Sequence, residues 1–282
     1  PSRGLGDVYK RQIMMLLFYI LFFVFGACFA SFCNVIIHRM PQGLSVSFPP
    51  SHCPKCEHSL RFYHNVPLFS YLFLGGKCAF CKEKISLRYF LVELGGALLF
   101  VVALYFSAVD LENFNIAVLC KPLFLGLSFC LLLTLSLIDF KYHAVPEIPL
   151  ISAYFCAIIA SVPQNLEQFF AFNSPFVLSL IFAGGITMVK SVVSAWINRN
   201  KSGELIEAMG DADTIIIAII GAFFGVKLGL ACLLLAGILQ LILHLFMRKT
   251  SQEAPFIPAL FIAIMICFAF GEFILSFWMV YA

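Results

Sequence analysis

The sequence predicts an all-α polytopic membrane protein with about eight transmembrane helices and a cytoplasmic zinc-binding loop between the first two. Three observations predict it. Of 282 residues, 62% are hydrophobic and 12% charged, whereas soluble domains carry about 45–50% apolar and about 25% charged residues. Polar side chains are therefore too few to cover a water-facing surface. The apolar residues are gathered into runs long enough to cross about 30 Å of hydrocarbon, and four cysteines stand as two close pairs in one long polar connection. The lipid bilayer is the implied solvent. A soluble enzyme, a disordered tail and a small disulfide scaffold are excluded, and a formal net charge of +3 is too small to argue for a nucleic-acid partner.

Residues 1–12 are polar, carry Arg3, Lys10 and Arg11, and stop at Ile13-Met14-Met15. They are expected to be a non-native-looking leader outside the fold. Residues 13–37 form an uncharged run of 25 residues, longer than a signal-peptide core of about 7–15, and make the first transmembrane helix. Residues 38–89 are the four-cysteine loop. Residues 90–282 form a seven-helix membrane domain, with apolar runs near 90–109, 122–138, 147–163, 175–197, 212–225, 226–247 and 255–281. Gly225-Val226-Lys227 marks the break between two of these runs, which would otherwise read as one.

Lys and Arg set the orientation. Arg39, Lys55, Arg61, Lys77, Lys82, Lys84 and Arg88 lie in the 38–89 loop, and alternate connections add Lys141, Arg199, Lys201, Arg248 and Lys249. Only Lys121 and Lys227 fall on the other side. The first set is expected to be cytoplasmic.

Cys53-Pro54-Lys55-Cys56 and Cys78-Ala79-Phe80-Cys81 are two Cys-x-x-Cys knuckles 21 residues apart. Each presents two sulfurs from a tight turn, and four sulfurs close a tetrahedral shell, so the pattern predicts Zn2+. A closed shell leaves no position for substrate, which makes the metal structural. The other seven cysteines sit in or beside apolar runs, where a thiol behaves as a small hydrophobe.

Ionisable groups at membrane depth are costly and point to function. Asp139 ends the 122–138 run and Asp211 begins the 212–225 run, so both are expected at the cytoplasmic edge of the bilayer on different helices. Two adjacent carboxylates can share a proton, one acting as base on a water while the other hydrogen-bonds a carbonyl. The pair is the candidate catalytic dyad, and Gly210 beside it would let a substrate backbone approach closely. Asn34, Glu93 and Asp213, with Gly210, are candidates for a supporting or binding role at the same depth. Ser31, Asn34 and His38 share one face of the first helix. Gly26-Ala30 and Ala27-Ser31 form small-residue pairs that favour close helix contact.

These features resemble the bacterial type IV prepilin peptidases. The resemblance is carried by Ala30-Ser31-Phe32-Cys33-Asn34 through Arg39-Met40-Pro41, the two knuckles, Asn65-Val66-Pro67-Leu68-Phe69-Ser70-Tyr71, and Leu91-Val92-Glu93-Leu94. It continues through Ile138-Asp139, Val145-Pro146-Glu147, Met209-Gly210-Asp211 and Pro255-Phe256-Ile257-Pro258. It implies an inner-membrane aspartyl peptidase with its active site at the cytoplasmic face, in which Asp139 and Asp211 are the acid pair. The implied substrates are prepilins or pseudopilins with a short basic leader and an apolar N-terminal helix, cut after Gly. It also implies methylation of the new N-terminus from S-adenosylmethionine, with Asn34, Glu93, Gly210 and Asp213 as the candidate supporting or methyl-donor site. Where the family usually has Gly-Met-Gly-Asp-x-Lys, this chain has Ala208 for the first Gly and Asp213 for the Lys.

Two rival readings are a presenilin-like intramembrane protease, for which Gly210-Asp211 and Pro258-Ala259-Leu260 would count, and a proton-coupled transporter using Asp139, Asp211 and Lys190. The cysteine loop counts against the first. The lack of an internal repeat and the clustering of the acids at one face count against the second.

Overall fold

The computed structural model describes residues 3–53, 55–109, 115–162, 168–199, 207, 209–247 and 254–281. Among them the α-helices are α1 (Arg3–Arg39), α2 (Phe69–Phe73), α3 (Leu87–Phe106), α4 (Cys120–Tyr142), α5 (Glu147–Ser161), α6 (Pro175–Asn198), α7 (Asp211–Met247) and α8 (Ile257–Tyr281). The described residues contain two isolated β-bridges outside these helices. Among the described residues six helices are long and apolar enough to cross a membrane, and α5, with 15 residues, is shorter. The all-helical, multi-pass expectation holds. Lys201, Ala208, Arg248 and Lys249, used in the sequence reading, lie outside the described residues.

The chain divides into two compact units, residues 1–134 and 135–282. In the first, α1 lies along α3 on a seam of small residues. A Cβ placed on Gly26 would meet the Gly96 carbonyl oxygen at 2.7 Å, and one on Gly96 would collide with the Ala30 methyl. With no hydrophobic drive between helices in lipid, such close backbone approach supplies the dispersion contacts that hold the pair. Phe100 fills the space beside the seam, fully buried, with Phe22, Phe25 and Phe29 rings at 6.3, 5.3 and 6.3 Å. Ile13, Leu16, Leu17, Ile20, Leu21 and Val24 on α1 are exposed, as expected of a lipid-facing stripe. The N-terminus of α3 is capped by the Ser86 side chain, which accepts from the Arg88 N–H at 3.3 Å.

In the second unit α7 packs against α5, α6 and α8. The break expected at Gly225 occurs inside α7, where φ is +66°, a left-handed conformation that glycine adopts without Cβ strain. The two apolar runs are thus the two arms of one kinked helix. Gly221 and Gly229, on either side, receive the Phe182 ring of α6. Ser174 caps α6 by accepting from the Val177 N–H at 3.2 Å, with Pro175 at the first helical position.

Candidate active site and metal centre

The four knuckle cysteines come together, their sulfurs all within 4.8 Å of one another. Two hairpins of the same design bring them there. In the first, Cys53 N–H donates to the His58 carbonyl at 3.1 Å, Glu57 N–H to Cys53 at 2.9 Å and Leu60 N–H to Ser51 at 2.8 Å. In the second, Cys78 N–H donates to Glu83 at 2.8 Å, Lys82 N–H to Cys78 at 3.1 Å and Ile85 N–H to Gly76 at 2.7 Å. Glu57 and Lys82 occupy the same left-handed turn position, with φ of 56° and 60°. The hairpins join through Cys53–Cys81 (3.8 Å) and Cys56–Cys78 (4.0 Å) sulfur contacts and through the His58 ring against Phe80, centroids 4.1 Å apart.

Backbone N–H groups of Cys81 and Phe80 pointing at its sulfur hold the Cys78 thiol down at about 7. The Glu83 N–H pulls Cys81 the same way, but desolvation and the neighbouring thiols outweigh it and push Cys81 up to about 11. Such opposed shifts are what several thiols sharing one small space produce, since only some can be charged at once. A cation removes the conflict, and this donor set could hold a metal ion.

In the second unit the structure brings a different set of groups together. Asp139, at the end of α4, is buried, and its carboxylate accepts the Ile257 N–H at 3.2 Å. Ile257 opens α8, so this N–H is one of the donors a helix start leaves without an intrahelical partner. His143, one turn on from Asp139, is also within electrostatic range of it.

Asp211 and Asp213, both in the first turn of α7, are placed differently. Asp213 is half-buried; its carboxylate accepts the Gly210 N–H and lies within electrostatic range of both Asp139 and Lys190. The Gly210 bond is half of a capping box, in which an acid three residues into the helix reaches back to the capping residue. Asp211 is exposed over 92% of its side chain, and its carboxylate accepts from Lys190 at 2.6 Å. Lys190 also reaches Glu207 at 3.0 Å, so one cation from α6 holds two acids at the entry to α7. Nothing along the sequence marks Glu207 or the Ile257 N–H as partners of this site, and Lys190 counts there only in the transporter reading. The prolines around Ile257 were the signal for a helix start there.

Of the remaining candidates, Asn34 and Glu93 both lie in the first unit. The Asn34 Nδ2 donates to the Tyr89 carbonyl at 3.0 Å, while its buried Oδ1 has no partner among the described residues. Glu93 accepts the Leu68 N–H at 2.8 Å and the Ser31 hydroxyl.

Comparison with known proteins gives two family matches: residues 24–107 to the Bacterial Peptidase A24 N-terminal domain and residues 126–245 to the Type IV leader peptidase family. The chain is 33% identical over 256 residues to a Vibrio cholerae prepilin leader peptidase/N-methyltransferase, covering 87% of this chain and 92% of that one. A Klebsiella pneumoniae protein of the same name is 34% identical over 214 residues, covering 72% and 83%. One from Myxococcus xanthus is 31% identical over 238 residues, covering 84% and 65%. No solved structure matches the chain.

Proposed function

Because the chain belongs to the type IV leader peptidase family, we propose that it cleaves the leader peptides of prepilins or pseudopilins and then N-methylates the exposed N-terminus. The observation that carries the chemistry is the buried Asp139 carboxylate at the end of α4 together with the acid-bearing first turn of α7, whose half-buried Asp213 lies within electrostatic range of Asp139. The proposed pair is Asp139 and Asp211, as the likeness to the family implies, with Asp213 a third acid in the same turn and Lys190 holding Asp211 there.

In the proposed reaction one carboxylate takes a proton from a water, whose oxygen attacks the scissile carbonyl carbon, while the other carboxyl hydrogen-bonds the carbonyl oxygen. Collapse of the tetrahedral adduct breaks the C–N bond, and the leaving amine takes up the transferred proton. Cleavage falls after a Gly at the end of a basic leader. The reading is tested by incubating the purified protein with a prepilin and sequencing the product's N-terminus, with and without S-adenosylmethionine. An uncut prepilin would overturn it.

The metal is proposed to be Zn2+. Bonds of about 2.3 Å in a tetrahedral zinc–thiolate site put the sulfurs about 3.8 Å apart, close to the 3.8 and 4.0 Å contacts present. Held by Cys53, Cys56, Cys78 and Cys81, it would clamp the two hairpins together. S-adenosylmethionine supplies an electrophilic methyl group when bound. With Gly210 and Asp213 accounted for in the acid turn, Asn34 is the proposed contact for the methyl donor or its acceptor amine, because its buried Oδ1 has an acceptor position free. Glu93 would support it.

The proposed setting is the bacterial inner membrane, with the knuckle loop 38–89 and the acid cluster on the cytoplasmic side and the membrane domain beginning at 90. The charge bias of the connections supports this. Reporter fusions at Lys77 and Gln168 distinguish the sides, and a periplasmic signal at Lys77 would reverse the topology.

A further inference from the structure

The stretch Val66-Pro67-Leu68-Phe69-Ser70-Tyr71-Leu72-Phe73-Leu74 is uncharged and lies between two basic knuckles, in a loop otherwise expected to be aqueous. Its packing is not that of a surface loop. Leu68 is buried in one cluster with Ala27 of α1 and Ala97 of α3, with Phe23, Phe90 and Leu94 around it. At about 1.5 Å per residue, Ala97 is about 15 Å along α3 from its start at Leu87, and Ala27 about 18 Å from the end of α1 at Arg39. Arg39 and Arg88 mark the polar ends of these helices, and half a hydrocarbon layer is about 15 Å. The chain therefore descends from the first knuckle to membrane depth and returns to the second.

The polar groups of the descending segment are satisfied inside the protein, as that depth requires. The Leu68 N–H, presented by a backbone turn with φ of +63°, donates to Glu93 at 2.8 Å. The Ser70 hydroxyl donates to the Val66 carbonyl at 2.6 Å, and the Tyr71 hydroxyl to Ile85 at 3.4 Å while its ring lies 5.3 Å from Phe90. The side chains left outside are apolar: Phe69, Leu72 and Phe73 are exposed by 57%, 62% and 86%. They project from a segment anchored between two spanning helices whose own outer faces meet lipid.

We propose that residues 66–74 are a re-entrant segment whose Phe69, Leu72 and Phe73 side chains sit among lipid acyl chains, seating the paired hairpins on the membrane surface. The occupant of this exposed face is the acyl layer itself. Three exposed large hydrophobes on a five-residue helix would be an aggregation hazard in water and are stabilising in hydrocarbon. Glu93 acts here as the internal acceptor that lets the chain turn at that depth.

The test uses the full chain reconstituted in vesicles, in a background of Trp196→Phe and Trp278→Phe, with Phe73→Trp as the reporter and Phe69→Trp as an independent second. In acyl-brominated phosphatidylcholine both reporters should lose most of their emission relative to unbrominated lipid, and both should be blue-shifted and protected from aqueous iodide. Iodide quenching with no response to the brominated chains, at either position, would overturn the proposal. Because this readout needs no substrate, it is independent of whether the protein cleaves prepilin.

Discussion

The hairpin pair and the acid cluster are built in opposite ways. Each hairpin is closed by its own backbone, with three hydrogen bonds within ten residues, and the second repeats the first at an offset of 25. Its two sulfurs follow from a four-residue turn. The acid cluster has no such local frame. Asp139 ends α4, its N–H donor opens α8, Asp211 and Asp213 lie in the first turn of α7, and the cation that holds Asp211 comes from α6. A site made of local turns survives small changes elsewhere, whereas one made of helix ends depends on every helix being in place.

That contrast can be broken most sharply at the acids. Asp139→Asn and Asp211→Asn are each expected to lower prepilin cleavage by roughly 10³-fold or more, with the protein still folded and inserted. Asn keeps the size but cannot exchange the proton. Asp213→Asn should keep its activity with a shifted pH profile, because its charge acts on the pair rather than in the chemistry. If instead Asp213→Asn is dead and Asp211→Asn cuts normally, Asp213 is the partner of Asp139.

At the hairpins the expected effect is loss of metal. Cys53→Ser/Cys56→Ser and Cys78→Ser/Cys81→Ser should each reduce bound metal to background by elemental analysis, since two sulfurs cannot close the shell. Full occupancy in either variant would refute the site. Acid should weaken binding, because protons compete for thiolates. A Cys78 thiol near 7 is ionised above that pH and must give up a proton below it, while Cys81 near 11 must give one up throughout. The loss of affinity should therefore steepen below about pH 7, measurable by competition with a chromophoric chelator.

A smaller effect is expected at Lys190, which ties α6 to the turn before α7. Lys190→Met should lower kcat by roughly tenfold with KM little changed, and Lys190→Arg should restore much of it. Equal activity of the Met variant would show that the tie does not position the acids. The smallest change probes the seam. Gly96→Ala places a methyl against Ala30 and the Gly26 carbonyl and is expected to cost about 1–3 kcal/mol, read as earlier thermal unfolding in detergent.

What the sequence determined by itself is what short range can encode. Chain composition requires a bilayer, run lengths require spanning helices, Gly225 marks a kink because φ of +66° suits glycine, and Cys-x-x-Cys repeated once gives a four-sulfur cluster. Gly26 and Ala30 announced a close helix contact, which the structure places against Gly96. Only the tertiary structure decided that Asp213 comes within electrostatic range of Asp139 and that Lys190 holds Asp211, because the two acids share one helical turn and their motif does not say from which direction α4 and α6 approach. It also decided that Val66–Leu74 leaves the aqueous loop. Nine residues are too few for a span by any length rule, and their depth follows from Leu68 packing between two helices that the sequence lists as separate segments. Local geometry is fixed by a few neighbouring torsions and is legible along the chain, whereas depth and facing depend on contacts between residues far apart in it.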